Sequence, residues 1–197
     1  MTLMVRKEEY AYVLDIIPPE EIALKESEVL RRGFPRRDTY LQVVGEAYFT
    51  LLEVTLKREA TVEVGERVYI GDGARDKVNK IVRRLRYDEL TAQARQELPR
   101  IVEQIVKARE QYFVDWINKA GPLTLKLHSL ELLRGIGKKT LTQILEERSR
   151  KPFASFDDFK NRINIDIVKL IVDRVLREIQ GTEQYYIFAA PPPQERR

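Results

Sequence analysis

The sequence predicts an α+β protein, in which a small N-terminal β-barrel precedes an all-α domain and a last strand returns to the barrel. Three observations favour this architecture. The first third of the chain is rich in aromatic and β-branched residues between glycine and proline breaks, which is typical of short strands. From residue 75 onward, apolar residues recur at helical spacing. Residues 185–188 again have the composition of a strand, and a lone strand needs a partner in the barrel.

The barrel is predicted from a series of short strands. Strand signals cover residues 10–17, 39–44, 48–56, 61–64 and 67–70. In the last two segments, alternation would place the apolar residues on one inward face, namely Val62, Val64, Val68 and Ile70. The glycine turn at residues 71–73 closes the series, which suggests a small barrel.

Beyond the barrel, apolar residues at helical spacing predict a series of helices. They are expected over residues 75–86, over residues 99–120, on both sides of residues 135–137, from Ser155 onward and over residues 166–179. The first of these has an apolar stripe opposite basic side chains, made of Val78, Ile81, Val82 and Leu85. Ser155 is the expected N-cap of its helix, with Asp158 in the capping-box position.

The domain organisation follows from these elements. Residues 1–73 are assigned to the barrel and residues 74–181 to the helical domain. Residues 182–190 hold the returning strand, so the helical domain would be tethered at both ends. The remaining residues, 191–197, contain three prolines followed by charges, which predicts a disordered tail.

The composition narrows the classes of function. A net charge of +4, from 35 basic and 31 acidic residues, weakly favours a polyanionic partner and makes the position of the charges matter more than their total. The absence of cysteine excludes disulfides, thiolate metal sites and a cysteine nucleophile, and the single histidine leaves little for zinc or for a proton relay. The chain lacks a long apolar run and a signal-peptide core, which predicts a cytoplasmic protein without a membrane partner.

The segment Arg134-Gly135-Ile136-Gly137-Lys138-Lys139 carries the most specific functional signal. Two glycines around one isoleucine permit a tight turn between two short helical patterns. The second helix would begin with unpaired N–H groups, and its positive dipole end would lie beside the two lysines. Because this combination favours a phosphate, these six residues are the predicted nucleic-acid-binding site.

This segment resembles the helix-hairpin-helix motif of non-sequence-specific nucleic-acid-binding proteins. Its glycine–apolar–glycine turn and its lysines match the motif, whereas Arg134 replaces the proline that many relatives carry. The resemblance implies contacts to the phosphate backbone that do not read bases. Some relatives hold a monovalent cation on turn carbonyls, so Na⁺ or K⁺ stays open here, and no other cofactor is expected. The alternative is an ordinary helical hairpin with solvated lysines.

Over nearly its whole length, the chain resembles the archaeal domain-of-unknown-function family 655, whose members are predicted to bind RNA or nucleotides. The matching segments are residues 48–54, 65–71, 128–133, 151–153 and the Tyr-Tyr-Ile-Phe ending. The resemblance implies an OB-like (S1-like) barrel joined to a helical domain that carries the hairpin, and it favours RNA over DNA as the partner. It supplies no catalytic residues.

An OB-like barrel could add a second way of binding a single strand. Bases would stack on exposed aromatic side chains along a basic groove. The candidates are Tyr40, Tyr48 and Tyr69, with Arg36, Arg37 and Arg67 as phosphate partners. The competing interpretation is structural, because aromatic residues in strands usually fill cores or cross-strand pairs.

Two rival classes of function stay open beside nucleic-acid binding. One is an enzyme of the helix-hairpin-helix glycosylase type, with Asp157 or Asp158 as the catalytic acid. Both acids are already explained by a helix N-terminus, and no catalytic constellation is evident, so we expect no enzymatic activity. The other class is a protein-assembly factor, in which the hairpin is a scaffold and the helix around Trp116 docks a partner.

Overall fold

The computed structural model describes residues 7–21 and 38–194. The chain divides into two compact units, one formed by Met1–Ile101 with Ile179–Arg197 and the other by Val102–Glu178. The first, which we call the sheet unit, contains a five-stranded sheet, and the second, the helical unit, consists mainly of helices. The predicted α+β class is therefore confirmed. Along the sequence, the units meet after Ile101 and after Glu178, whereas the first predicted boundary lies after residue 73.

The sheet is antiparallel and open. Its strands are β1 (Tyr10–Ile17), β2 (Tyr40–Gly45), β3 (Leu51–Leu56), β4 (Arg67–Tyr69) and β5 (Val78–Arg84). They lie in the order β4-β1-β2-β3-β5. Because β4 and β5 occupy opposite edges and do not pair, the described residues form a half-barrel sheet, and the OB-like barrel stays a prediction.

Alternate residues of the strands form the core of the sheet unit. The buried cluster contains Ala11, Val13, Leu41, Val43, Leu52, Val54, Val68, Ile70 and Val78. The predicted strand over residues 10–17 is confirmed, as are the two that follow it, which are shorter or shifted by a residue. Val68 and Ile70 face inward as predicted.

The predicted helix over residues 75–86 is wrong, because this segment contains the edge strand β5. An irregular register explains the error. Val78 and Ile81 are three residues apart in β5, yet they pair with Leu56 and Val54, which are two apart in β3. The extra residue is accommodated as a bulge, so the apolar residues of β5 recur at a spacing that also fits a helix.

The predicted strand over residues 61–64 is also wrong. The Glu63 N–H donates to the Glu66 carboxylate at 3.0 Å, and Gly65 adopts a φ of 87° while its N–H donates to the Val13 carbonyl at 2.7 Å. A turn therefore takes the place of a strand ladder. Val62 is half-buried against the sheet core, so the apolar pattern reflects packing without strand pairing.

The C-terminal segment returns to the sheet unit, although residues 185–188 do not form the predicted strand. Phe188 and Ala189 are buried, and the Ala190 N–H donates to the Tyr48 carbonyl at 2.9 Å. The expected tail begins with Pro191, whose carbonyl accepts a hydrogen bond from Arg84 at 2.8 Å. Residues 195–197 of that tail lie outside the described residues. Buried side chains and single hydrogen bonds therefore replace the strand ladder.

The α-helices that follow the sheet are α1 (Ala92–Ala108), α2 (Glu110–Lys119), α3 (Lys138–Arg150), α4 (Phe156–Ile163) and α5 (Ile167–Gln180). Short 3₁₀ helices cover Tyr87–Glu89 and Ser129–Leu132. The helix predicted over residues 99–120 is longer and interrupted. It begins at Ala92, where the Thr91 hydroxyl accepts the Ala94 N–H at 3.0 Å, and it breaks at Arg109, with φ −109° and ψ 33°.

The helix start at Ser155 is confirmed. The Asp158 N–H donates to the Ser155 hydroxyl at 3.0 Å, and the Asp158 carboxylate accepts the Ala154 N–H at 3.0 Å. The carboxylate therefore caps one residue earlier than a standard capping box would. The last predicted helix is confirmed as α5, and Gly181 follows it with a φ of 78°. Within the described residues, no helix has both the length and the apolar character of a membrane span.

Candidate functional site

The six predicted site residues form an exposed bend, residues 134–139, between a 3₁₀ helix and α3. The Ile136 N–H donates to the Leu133 carbonyl at 3.1 Å, which closes the turn, and the Ile136 side chain is buried. Arg134, both glycines and both lysines are exposed. The first arm of the expected hairpin is the 3₁₀ helix Ser129–Leu132, which is a single short turn rather than an α-helix. The bend therefore presents its main chain to solvent.

The two glycines of the bend are needed for different reasons. Gly135 has a φ of 109°, a backbone conformation that favours glycine, and an added Cβ would also lie tightly, 3.3 Å from the Leu170 side chain. Gly137 has ordinary extended angles, with φ −91° and ψ −175°, and an added Cβ would meet nothing within 4 Å. Steric demands of the fold therefore do not require glycine at position 137.

The start of α3 leaves main-chain N–H groups without partners. Gly137 is the N-cap and supplies no side-chain cap, and the Leu141 N–H is the donor that reaches the Gly137 carbonyl, at 2.9 Å. Among the described residues, no acceptor binds the amides of Gly137, Lys138 or Lys139. Unpaired amides at the positive end of a helix dipole attract an anion.

The two lysines of the bend differ in their partners. The Lys138 ammonium lies 2.7 Å from the Glu131 carboxylate and donates to the Lys126 carbonyl at 2.9 Å. This contact holds the pKa of Glu131 below its ordinary value. Lys139 and Arg134 make no ion pair or side-chain hydrogen bond among the described residues. The free positive charge of the bend therefore comes from Lys139 and Arg134, while Lys138 is partly neutralised.

His128 anchors the first arm of the bend. The imidazole Nδ1 of His128 accepts the Leu130 N–H at 3.1 Å, and the main-chain N–H of His128 donates to the Glu131 carboxylate at 2.8 Å. Burial lowers the pKa of His128, the charges of Arg148 and Lys138 lower it further, and only Glu131 opposes them. Because Nδ1 must stay unprotonated to accept a hydrogen bond, His128 acts here as a helix cap.

Guanidinium groups of α5 hold the carbonyl that precedes the bend. Arg174 and Arg177 donate to the Leu132 carbonyl at 3.4 and 3.3 Å. Arg174 is 2% exposed and pairs at 3.2 Å with Glu178, which is 0% exposed. Two cations already face the Leu132 carbonyl, so this oxygen is not open to Na⁺ or K⁺. No local sequence pattern indicates these contacts, because they join segments more than forty residues apart.

The candidate aromatic residues of the barrel have local structural partners. Tyr40 is buried, and the Tyr69 hydroxyl accepts the Gly73 N–H at 3.0 Å while its ring packs edge-on against Tyr10. Arg67 pairs with Glu46 at 2.9 Å and covers the Tyr10 ring at 3.5 Å. Tyr48 is half-buried, and Arg36 and Arg37 lie outside the described residues. Tyr40, Tyr69 and Arg67 are therefore engaged in contacts within the sheet unit.

The acids considered for catalysis differ in their surroundings. Asp158 accepts the Ala154 N–H and pairs with Arg162 at 3.1 Å, which lowers its pKa, whereas Asp157 is exposed on the first turn of α4. Within the described ranges, no group of three or more histidine, cysteine, aspartate or glutamate side chains could hold a metal ion. The hydrogen bonds of Asp158 therefore identify it as a cap of helix α4.

Three comparisons with known proteins agree with one another. The family model "Protein of unknown function (DUF655)" matches residues 7–190. The uncharacterized protein MJ0038 of Methanocaldococcus jannaschii is 39% identical over 185 residues, which are 92% of this chain and 79% of that protein. The crystal structure of Af1531 from Archaeoglobus fulgidus, described as a DUF655 protein, superimposes with a TM-score of 0.81 at 44% identity, covering 93% of this chain and all of that one. The chain therefore belongs to the DUF655 family, a family of unknown function.

Proposed function

We propose that this protein binds nucleic acid through the phosphate backbone, at the bend of residues 134–139, without reading base sequence and without catalysing a reaction. RNA is favoured over DNA by the resemblance to a family predicted to bind RNA or nucleotides. The main-chain amides of Gly137, Lys138 and Lys139 receive a phosphate oxygen, and the cationic side chains add long-range attraction.

The observation that carries this proposal is the open space at Gly137. An added Cβ would touch nothing within 4 Å, and the backbone angles suit any residue. A glycine that steric demands do not require leaves the neighbouring amides accessible to a bulky oxyanion. Gly135 provides the contrast, because its positive φ and its contact with Leu170 already explain it.

The ion pair between Lys138 and Glu131 shapes how the bend would bind. A phosphate that approaches the amides competes with the Glu131 carboxylate for the Lys138 ammonium, while Lys139 and Arg134 are available at once. Glu131 therefore lowers the affinity of the bend for polyanions, and it keeps Lys138 close to the amides that the phosphate would reach.

A filter-binding titration tests the proposal directly. RNA, single-stranded DNA and duplex DNA are titrated at several salt concentrations, and the affinity should fall with salt by a slope of about one per neutralised phosphate. Lys138→Glu combined with Lys139→Glu should weaken binding by about a hundredfold or more, because both charge-assisted contacts are lost and repulsion is added.

The matched control is Lys160→Glu combined with Lys169→Glu, which makes the same change in charge at exposed positions on α4 and α5 of the helical unit. Its affinity should stay within about threefold of the natural protein, since long-range charge alone has a small effect at moderate salt. Equal losses in the two variants, or unchanged binding in the first, would show that the bend is not the site.

A further inference from the structure

A cleft of about 550 Å³ opens in the sheet unit along the edge strand β5. It is lined by Val82, Arg83, Arg84, Arg86, Glu89, Pro193 and Gln194. We call it the arginine cleft. Its volume is that of many small-molecule sites, which span about 300 to 1,000 Å³. Three arginines and one glutamate among the lining residues leave an excess of positive charge.

The arginines of the cleft differ in their ion pairs. Arg83 lies 2.7 Å from Glu89, and Arg86 lies 3.0 Å from Asp88. Among the residues that the structure describes, Arg84 is the one arginine of the cleft with no carboxylate partner. Arg84 is therefore the cleft arginine whose positive charge no carboxylate neutralises at ion-pair distance among the described residues.

Arg84 has unused hydrogen-bonding capacity. One N–H of its guanidinium donates to the Pro191 carbonyl at 2.8 Å, and no further acceptor among the described residues binds this side chain. A guanidinium carries five N–H donors in a planar fork. The Arg84 side chain remains accessible, yet neighbouring protein removes part of its hydration and lowers its pKa, with only the charge of Glu8 opposing this effect. A partly desolvated cation with unused donors is stabilised by an anion.

We propose that the arginine cleft binds the phosphate group of a phosphate ester, with Arg84 as its main contact. The guanidinium fork matches two oxygens of a phosphate in parallel hydrogen bonds. Val82, which is 39% exposed, and Pro193 supply an apolar wall for the organic part of the ester. Free phosphate, a nucleotide and the end of a nucleic-acid strand share this chemistry. The site belongs to the sheet unit and does not rest on the proposed function of the bend.

Isothermal titration calorimetry on the full chain tests this site with three probes: inorganic phosphate, a nucleoside monophosphate and a single-stranded oligonucleotide with a terminal phosphate. The oligonucleotide is titrated into the Lys138→Glu, Lys139→Glu variant, so that binding at the bend does not contribute. We expect saturable binding of at least one probe. Arg84→Gln should weaken this binding about tenfold or more. Arg84→Lys keeps the charge but loses the planar fork, so its affinity should lie between those of Arg84→Gln and the natural protein.

Arg58→Gln is the matched control, because it removes one exposed arginine on the turn after β3, outside the cleft. Its affinity should stay within about twofold. Thermal unfolding of each variant checks that the loss of the Arg84 to Pro191 contact does not unfold the sheet unit, and Arg84→Lys keeps a donor for that carbonyl.

Each outcome has a defined meaning. Binding of inorganic phosphate supports a free-anion site, tighter binding of the nucleoside monophosphate supports the apolar wall, and binding of the oligonucleotide alone supports a strand terminus. The proposal is overturned if no probe saturates, or if Arg84→Gln binds as tightly as the natural protein. It is also overturned if phosphate binding is lost in the bend variant but not in Arg84→Gln, because the anion would then bind at the bend.

Discussion

Arg174 of the helical unit and Arg84 of the sheet unit use their charges in opposite ways. In the helical unit, Arg174 is buried, paired with Glu178 and bonded to the Leu132 carbonyl, so its charge supports the fold. Along β5 of the sheet unit, Arg84 is accessible and has no carboxylate partner among the described residues. An arginine therefore indicates a binding site only when its ion pairs and hydrogen bonds within the protein leave charge and N–H donors available.

The two lysines of the bend also differ in their ion pairs and hydrogen bonds. Lys138 is held by Glu131 and by a main-chain carbonyl, whereas Lys139 has no such partner within the part of the chain that the structure describes. The bend also has main-chain amides at the start of a helix for which the described residues provide no acceptor. Variants can therefore separate charge that supports the fold from charge that is free to bind.

The largest effect is expected from Arg174→Met. Removing the guanidinium breaks its 3.2 Å ion pair with the fully buried Glu178, which should cost about 3–5 kcal/mol of unfolding free energy. Urea denaturation measures this loss. The double variant Arg174→Met, Glu178→Leu should recover most of it, because no charge stays buried. Arg84→Gln serves as the comparison and should change stability by less than about 1 kcal/mol. Equal losses of unfolding free energy in Arg174→Met and Arg84→Gln would contradict the distinction between the two arginines.

The two glycines of the bend provide the next test. Gly135→Ala forces a side chain into a positive φ beside Leu170 and should cost about 1–3 kcal/mol of unfolding free energy. Gly137→Ala should cost less than about 1 kcal/mol, the usual difference between N-cap residues, yet it should weaken nucleic-acid binding by placing a methyl group beside the amides. Denaturation and filter binding on both variants measure the two effects. A stable Gly137→Ala protein with full affinity would argue against binding at the amides.

The stability of the bend should depend on pH through His128. Its folded-state pKa is lowered from the ordinary value of 6.5, so its contribution is complete above that value and is lost as the pH falls through the lowered pKa. The lost hydrogen bond to Leu130 is worth about 1 kcal/mol. His128→Asn keeps an acceptor that does not titrate, so the stability difference between about pH 7.5 and about pH 5 should be smaller than in the natural protein. An identical difference in both proteins would contradict the capping role.

The smallest effect is expected from Glu131→Gln. Glutamine can still cap the His128 N–H, but it no longer neutralises Lys138. Nucleic-acid binding should become tighter by at most about fivefold, because an exposed ion pair is worth up to about 1 kcal/mol. Filter binding at low and moderate salt measures the change. Weaker binding would mean that Glu131 positions Lys138 for the ligand rather than competing with it.

Local patterns predicted the bend and several elements, and tertiary contacts explain most of the failures. The glycines, the start of α3 and the Ser155 cap depend on neighbouring residues, so the sequence contains their signals. The apolar residues of β5 predict a helix, because a bulge opposite β3 places them three residues apart along the chain. The contacts of Arg174 and Arg177 with Leu132 have no local pattern at all. The Glu131 to Lys138 pair spans the bend and becomes evident only once the turn is folded.

Amide chemical shifts in a ¹⁵N-labelled sample test whether the bend binds a phosphate backbone, because they report on the N–H groups themselves. A short single-stranded RNA is titrated into the full chain, and the shifts of every assigned amide are followed. We expect the largest saturable changes at Gly137, Lys138 and Lys139, at the start of α3. Saturable binding that leaves these three amides unperturbed would contradict this expectation.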